Sequence, residues 1–547
     1  MKHIHLLYTL LFGVAILLFF GMAYPHHLHY QEQFQLFLFD SSYVWDIVKL
    51  PGGMADLLGR FCTQFFLFAW VGAFIIALLL SAVQLLTLRL VSSRTSQAAE
   101  PGGGWLYGLS FVPSFLLWLF LLDENALLGG VWAVLLTLLA AWAFDALPRG
   151  WLRRVLIFVA IPVLYFLVGP VCLLFFLLQV PHLKDSSPTL PSSKEGKQSE
   201  AWYYGIFVLL VLMPVLLSFY LPVPASKLWF GIHYHRYPTE ISILLWSATL
   251  SVFILTLIVR AFHRPLQTKR PSSNATSRTA PKDAHQGKNL QFSIFNLQFS
   301  IFLLVAVVMG VFVWKNGNFK AEKVMKYDFM ARFQQWNRIL ETISAEKPNN
   351  QIGVTVQNLA LGMRGLLTNH LFEYNQNGIA GLLPDVGTDA TSPLPTAEAF
   401  YQLGMTAVAQ RTVFEAQEAI LDFQKSARCY KRLAQTNLIL GSYEVARKYL
   451  TALQKTLFYK EWANETLPLL GDEEAIAKHP EYGRLRQFAY DDNFFFGDHV
   501  TSEMLQSLYF SNTDNHLAFE YLKAYYLLTG DRENYAKLLL KRVKNEE

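Results

Sequence analysis

Histidines and carboxylates beside two apolar runs are the side chains of this sequence best suited to bind a metal ion or move a proton. His26, His27 and His29 follow the first apolar run, and His233 and His235 precede a later one that begins at Ile241. Imidazole nitrogens joined by Glu32 are ligands for zinc or a similar ion. No HExxH or CxxC spacing accompanies them, and the adjacent His26 and His27 do not readily aim at one ion. His26, His29, His233 and His235 therefore stand as metal candidates beside a plainer reading, interfacial histidines among Tyr24, Tyr30, Tyr234 and Tyr237. Glu32, Asp40 and Asp46 share the early stretch and are candidates for a general base or a metal ligand. They lack a tight DxD or ExD pair, and solvated loop acids are the plainer reading. Cys62, Cys172 and Cys429 are too widely spaced for a disulfide framework or a metal motif. With no phosphate loop or nucleophile elbow in the tail, the residues name no reaction and no cofactor, and whether the chain is an enzyme stays open.

Hydropathy says what kind of scaffold must position these groups. The chain has 547 residues, 53% hydrophobic and 15% aromatic, with a net charge of +5. Charged residues make up 16%, against about a quarter in soluble chains, and the deficit lies almost wholly before Gly317. The small net charge gives no support to a nucleic-acid partner. Seven runs are close to the length of about 20 apolar residues that crosses the hydrocarbon: Ile4–Ala23, Phe65–Leu88, Trp105–Leu122, Ala126–Leu147, Trp202–Leu221, Ile241–Ala261 and Ile294–Trp314. Gly21-Met22-Ala23 resembles a signal-peptidase site, but the length of the run before it predicts an uncleaved first span. An eighth run, Val155–Val180, is too long for one upright span and is broken by Pro162 and Gly169-Pro170.

Charge in the loops sets an expected orientation, because Arg and Lys prefer the cytoplasmic side. With the amino terminus inside, the loop Tyr24–Gln64 is outside and carries Glu32, Asp40, Asp46 and Asp56. Arg89 and Arg94 then fall inside, Asp123 and Glu124 outside, and Arg149, Arg153 and Arg154 inside. The basic loop His263–Lys288 stays inside only if Val155–Val180 folds back at Gly169-Pro170 without a net crossing. The alternation thus predicts a broken helical hairpin near 155–183 and an exit of Trp314 on the outer face. Linkers are expected at 181–200 and 263–288, both rich in Ser, Pro, Thr and Lys. The heptapeptide NLQFSIF occurs twice in succession, at 289–295 and 296–302, which is read as gene slippage. It is tolerable in a helix because a heptad turns it only about 20° out of phase.

After Lys315 the composition is that of a soluble helical protein. Phe329, Phe333, Trp336 and Leu340 recur at helical spacing and predict one apolar face. Phe400, Leu403, Gly404 and Ala416 fit the positions at which paired helices of a tetratricopeptide repeat pack. Leu433, Ala434, Gly441, Tyr443 and Ala446, flanked by Tyr430 and Leu450, fit better still, and Phe519, Leu522, Tyr526 and Gly530 repeat the idea. Loops are expected at Pro384–Pro395 and Gly471–Tyr482. The fold class is therefore all-α: a polytopic membrane domain, 1–316, followed by a soluble TPR-like α-solenoid, 317–547.

The phrases HLHYQEQFQLFLF, PGGMADLLGRFCTQF, TSPLPTAEAFYQLGM, KTLFYKEWANETLPLL and AFEYLKAYYLLT carry a resemblance to an uncharacterised family of bacterial polytopic membrane proteins with a tetratricopeptide-like tail. The resemblance implies an inner-membrane location and this architecture, and it implies no catalytic residues. The expected role is an envelope protein in contact with membrane lipid, whose outward tail recruits a protein partner or a substrate. The alternative is a membrane glycosyltransferase that uses a lipid-linked donor on the outer face, through the acids of the first loop.

Overall fold

The computed structural model describes residues 2–93, 104–148, 151–184, 193–237, 239–262, 300, 303–385, 387, 389, 391–421, 424–488 and 501–546. Among them every regular element is helical. The chain divides into two compact units. One comprises Met1–Ala23, Ser42–Phe65 and Trp70–Asn318, the other Tyr24–Ser41, Phe66–Ala69 and Phe319–Glu547. Hydropathy alone leaves Tyr24–Ser41 with the membrane half. Its side chains and amides instead find their partners in the tail.

In the first unit, four helical segments are long and apolar enough to cross a membrane: His5–Ala23, Ala69–Ser92, Leu128–Asp145 and Trp151–Gln179. Tyr107–Phe120, Tyr204–Leu217, Ile243–Val259 and Leu303–Asn316 are shorter apolar helices. Leu10, Phe74, Leu78, Val163 and Leu216 are exposed on these segments, a surface suited to lipid. The segment Trp151–Gln179 is not one rod. The helix Trp151–Val168 stops at Gly169, whose φ of +75° is a left-handed value that side chains resist. A 3-10 turn, Gly169–Val171, leads into a second helix, Cys172–Lys184. Arg153 Nη2 donates to Gln179 Oε1 at 2.8 Å across a separation of 26 residues; a straight helix would hold these residues about 39 Å apart at about 1.5 Å per residue. The run therefore doubles back on itself, and both arms pack on Leu128–Asp145. The expected linker 181–200 is helical at both ends, through Lys184 and from Ser193. The basic loop 263–288 and almost all of the heptapeptide duplication lie outside the described residues.

The second unit is built from packed pairs of helices. Pro393–Leu403 pairs with Thr406–Glu418, Ala427–Ile439 with Tyr443–Gln454, and His516–Thr529 with Arg532–Glu546. A left-handed glycine makes each turn: Gly404, Gly441 and Gly530 have φ of +90°, +77° and +73°. Leu433, Ala434 and Ala446 are buried, the two alanines letting neighbouring helices approach closely. Tyr443 sits at the edge, where its hydroxyl accepts from Arg486 Nη2 at 2.7 Å. Two expectations for this region need correction. Phe329 and Leu340 do not share one helix, because Phe319–Arg332 ends and Gln334, with φ +52°, turns the chain into Trp336–Glu346. The loop expected at Gly471–Tyr482 contains a helical turn, Glu473–Lys478, whose Ala475 amide donates to Asp472.

The doubling-back is directly measurable. In an Arg153→Cys/Gln179→Cys variant, a short bifunctional thiol reagent will join the two positions, as seen by mass spectrometry of the digested protein. An unbroken rod gives no such crosslink.

Candidate functional site

Three arginines of the second unit, Arg428 and Arg432 buried and Arg332 nearly so, organise its polar core. Arg332 closes the helix Phe319–Arg332, and Arg428 and Arg432 lie one turn apart on Ala427–Ile439. Each has its own carboxylate. Arg332 Nη1 donates to Glu32 Oε2 at 3.0 Å, and its Nη2 donates to the Tyr459 hydroxyl at 2.6 Å, which in turn donates to Glu32 Oε1 at 2.8 Å. Arg428 grips Asp328 with two bonds of 2.7 and 2.9 Å and also donates to Gln33 Oε1 at 3.0 Å. Arg432 Nη2 meets both oxygens of Glu398 at 2.7 and 2.6 Å, and its guanidinium lies 3.6 Å from the centre of the Tyr401 ring. Burial raises the Tyr459 hydroxyl pKa, and so does the Glu32 carboxylate it bonds. Glu32 is thus a buried ion-pair partner, 4% exposed, and not a solvated loop acid.

The segment that carries Glu32 is tied down along its length. Its helix, Pro25–Glu32, has unsatisfied amides at its start, and the Glu322 carboxylate accepts them from His26 at 2.7 Å and from His27 at 2.8 Å. Tyr30 and Phe34 pack with Met325 and Ile420, and Leu36 joins Ala427, Ala434 and Leu450. The Leu36 amide donates to Lys425 O at 2.9 Å and the Phe39 amide to Lys455 O at 2.7 Å, while Asp40 pairs with Lys455. Of the histidines, His26 and His29 face each other through Nδ1 at 3.4 Å, and His29 stacks on Phe329 at 4.0 Å. Burial, helped by nearby cations, depresses the His26 pKa to about 4 and the His29 pKa to about 3. Burial also raises the Glu322 carboxyl to about 7, opposed by the two amide bonds.

The remaining candidates belong to the first unit. Asp46 is exposed and pairs with Lys49 at 2.6 Å. His235 lies 3.1 Å from Asp123, and His233 Nδ1 lies 3.6 Å from Asp56. Asp56 is fully buried and paired with Arg60 at 2.8 Å, with Tyr43 against the guanidinium. Sequence reasoning places Asp56 in the outer loop Tyr24–Gln64 and misses this cluster. The signal was present, since an acid and a base four residues apart in GMADLLGRF fall on one helix face. Here the helix Gly53–Thr63 lies so close to Leu128–Asp145 that a Cβ on Gly59 would stand 2.5 Å from the Gly129 nitrogen. Among the described residues, no group of three or more His, Cys, Asp or Glu side chains is arranged to hold a metal ion.

Beside the three arginines the second unit opens a cavity of about 490 Å³, walled by Arg332, Lys431, Arg432, Tyr459, Trp462 and Glu481 among others. Ion pairs, an aromatic wall and a space large enough for a small molecule equip this place to bind.

Two outcomes follow from the burial. Replacing Arg332 with Met strands Glu32 as an unpaired buried charge, and denaturant unfolding in detergent will show a loss of about 3–5 kcal/mol. A Glu32→Leu/Arg332→Met pair will recover most of that loss. The pH dependence has a defined sign. His26 and His29 are depressed below 6.5, so their contribution is present above pH 6.5 and is lost as pH falls toward 4 and 3. Glu322 is raised, so its contribution is present below pH 4.5 and is lost as pH rises toward 7. Between pH 7 and pH 5 the wild type will lose stability, whereas a His26→Asn/His29→Asn variant will gain it.

The family described as "Family of unknown function (DUF6057)" matches residues 1–547, and the chain belongs to it. No curated protein and no solved structure matches the chain.

Proposed function

We propose that this DUF6057 member is a multi-pass inner-membrane protein of the bacterial envelope that holds a helical recruitment domain on its outer face. The domain is made by the first loop and the tail together. The observation that carries the reading is the folding of Tyr24–Ser41 into one unit with Phe319–Glu547. A folded domain lies on one side of a bilayer, so this unit argues for an even number of crossings between Ser41 and Phe319. Counting the doubled run 151–184 as no net crossing gives that parity, and the loop charges favour the outer side. The paired helices turned at Gly404, Gly441 and Gly530 support a TPR-like domain, an architecture suited to holding a partner or substrate.

The glycosyltransferase alternative needs an available acid in the first loop. Glu32 is buried against Arg332, Asp40 pairs with Lys455, and Asp46 pairs with Lys49. No observation favours that alternative.

Alkaline phosphatase fused after Asn318 will be active, and a fusion within His263–Lys288 will be inactive. The opposite pattern would overturn the outward placement.

A further inference from the structure

We propose that the cavity beside Arg332 and Arg432 binds a ligand that presents an oxyanion, phosphate or carboxylate, on a body with a flat apolar face. This deepens the recruitment reading by naming what the domain takes, and it rests on that reading only for the side on which the ligand is met.

The cations around the cavity differ in how fully they are partnered. Arg332 is matched by Glu32, Arg428 by Asp328, and Arg432 Nη2 by Glu398. Two sets of donors are left over. Arg432 Nη1 is buried and has no acceptor. Lys431, the preceding residue of the same helix, has among the described residues no carboxylate at ion-pair distance and no hydrogen-bond acceptor; its ammonium lies 4.9 Å over the Trp462 ring. Burial lowers the Lys431 pKa and the charges of Arg432 and Arg332 lower it further, with Glu481 and Glu398 opposing them only in part. On balance the fold loses by holding a desolvated ammonium beside two guanidinium groups, since an unmade hydrogen bond and like charge oppose it more than Glu481 and Glu398 favour it. An oxyanion reverses both terms, and the planar guanidinium suits carboxylate and phosphate oxygens.

The walls supply the second half of the specificity. Phe333, Phe458, Tyr459 and Trp462 line the same space, and aromatic faces bury flat apolar surface at small loss of side-chain freedom. A volume of about 490 Å³ falls within the range of small-molecule sites, about 300–1,000 Å³. Glu481 also lines the cavity and has no cation at ion-pair distance among the described residues. It works against an anion and weakens binding, which makes it diagnostic.

The test uses the purified full-length chain in nonionic detergent, titrated at constant ionic strength. The probes are phenyl phosphate, inorganic phosphate, the uncharged benzyl alcohol, and dioctanoyl phosphatidic acid below its micelle concentration. Binding is read from tryptophan fluorescence and the unfolding temperature. Phenyl phosphate is expected to bind saturably and more tightly than inorganic phosphate, and benzyl alcohol not to bind. Lys431→Met and Trp462→Leu will each weaken phenyl phosphate by about tenfold or more, and Glu481→Gln will tighten it. Lys431→Met will leave the ligand-free unfolding temperature unchanged or raise it, a result that a structural lysine would not give. Lys431-dependent binding of phosphatidic acid alone would support the site with a lipid headgroup as the source. The proposal is overturned if none of the three anions binds, if inorganic phosphate binds as tightly as phenyl phosphate, or if Lys431→Met leaves affinity unchanged or lowers the ligand-free unfolding temperature. A reversed phosphatase-fusion pattern would leave this titration unaffected, so the two readings fail separately.

Discussion

Arg332 has no carboxylate of its own helix within ion-pair distance among the described residues. It takes Glu32, three hundred residues earlier in the chain, together with the hydroxyl of Tyr459. An ion pair removed from water at this depth returns little net stability, but leaving either member alone is expensive. The pair therefore acts as a registration device: the tail's polar core is complete only when the stretch after the first apolar helix is in place. Gln33 on Arg428, Glu322 on the amides of His26 and His27, and two backbone bonds at Leu36 and Phe39 extend the same constraint along the segment.

This constraint gives the rest of the chain a logic. In the proposed topology, a segment that belongs to the tail's fold lies on the same side of the bilayer as the tail, and the intervening helices return the chain to that side. The doubling-back at Gly169 is the local device that keeps the parity even in the proposed topology. It is secured by the Tyr234 hydroxyl, which donates to Val168 O at 2.5 Å, and by the buried Arg153–Gln179 contact. The same registration fixes Arg332 at the edge of the cavity proposed to take an oxyanion, so completing the core and shaping the cavity are one event.

Much of the architecture was legible in the sequence because it is local. Apolar runs mark helices, Gly169-Pro170 marks a break, and Gly404, Gly441 and Gly530 mark turns that need left-handed backbone. What was not legible depends on partners distant in the chain. Glu32 and Asp56 both read as loop acids. Asp56 had a local clue in Arg60 one turn on, whereas Glu32 had none, its partner being Arg332. For the histidines the sequence offers an interfacial or a metal-binding reading, and names none of their neighbours. His29 packs on Phe329, His26 faces His29, and His233 and His235 lie near Asp56 and Asp123. The turn at Gln334 also escaped, because no glycine or proline marks it. The phrases that carry the family resemblance fall on these same places: HLHYQEQFQLFLF supplies Glu32 and Gln33, PGGMADLLGRF supplies Asp56 and Arg60, and TAEAFYQLG supplies Glu398.

Hydrogen–deuterium exchange on the intact protein tests the central claim most directly. If the early segment is part of the tail's fold, the amides of His26, His27, Leu36 and Phe39 will exchange as slowly as those of Ala427–Ile439, and the two will open together when Arg332 is replaced by Met. Rapid exchange of those four amides while Ala427–Ile439 stays protected would contradict it.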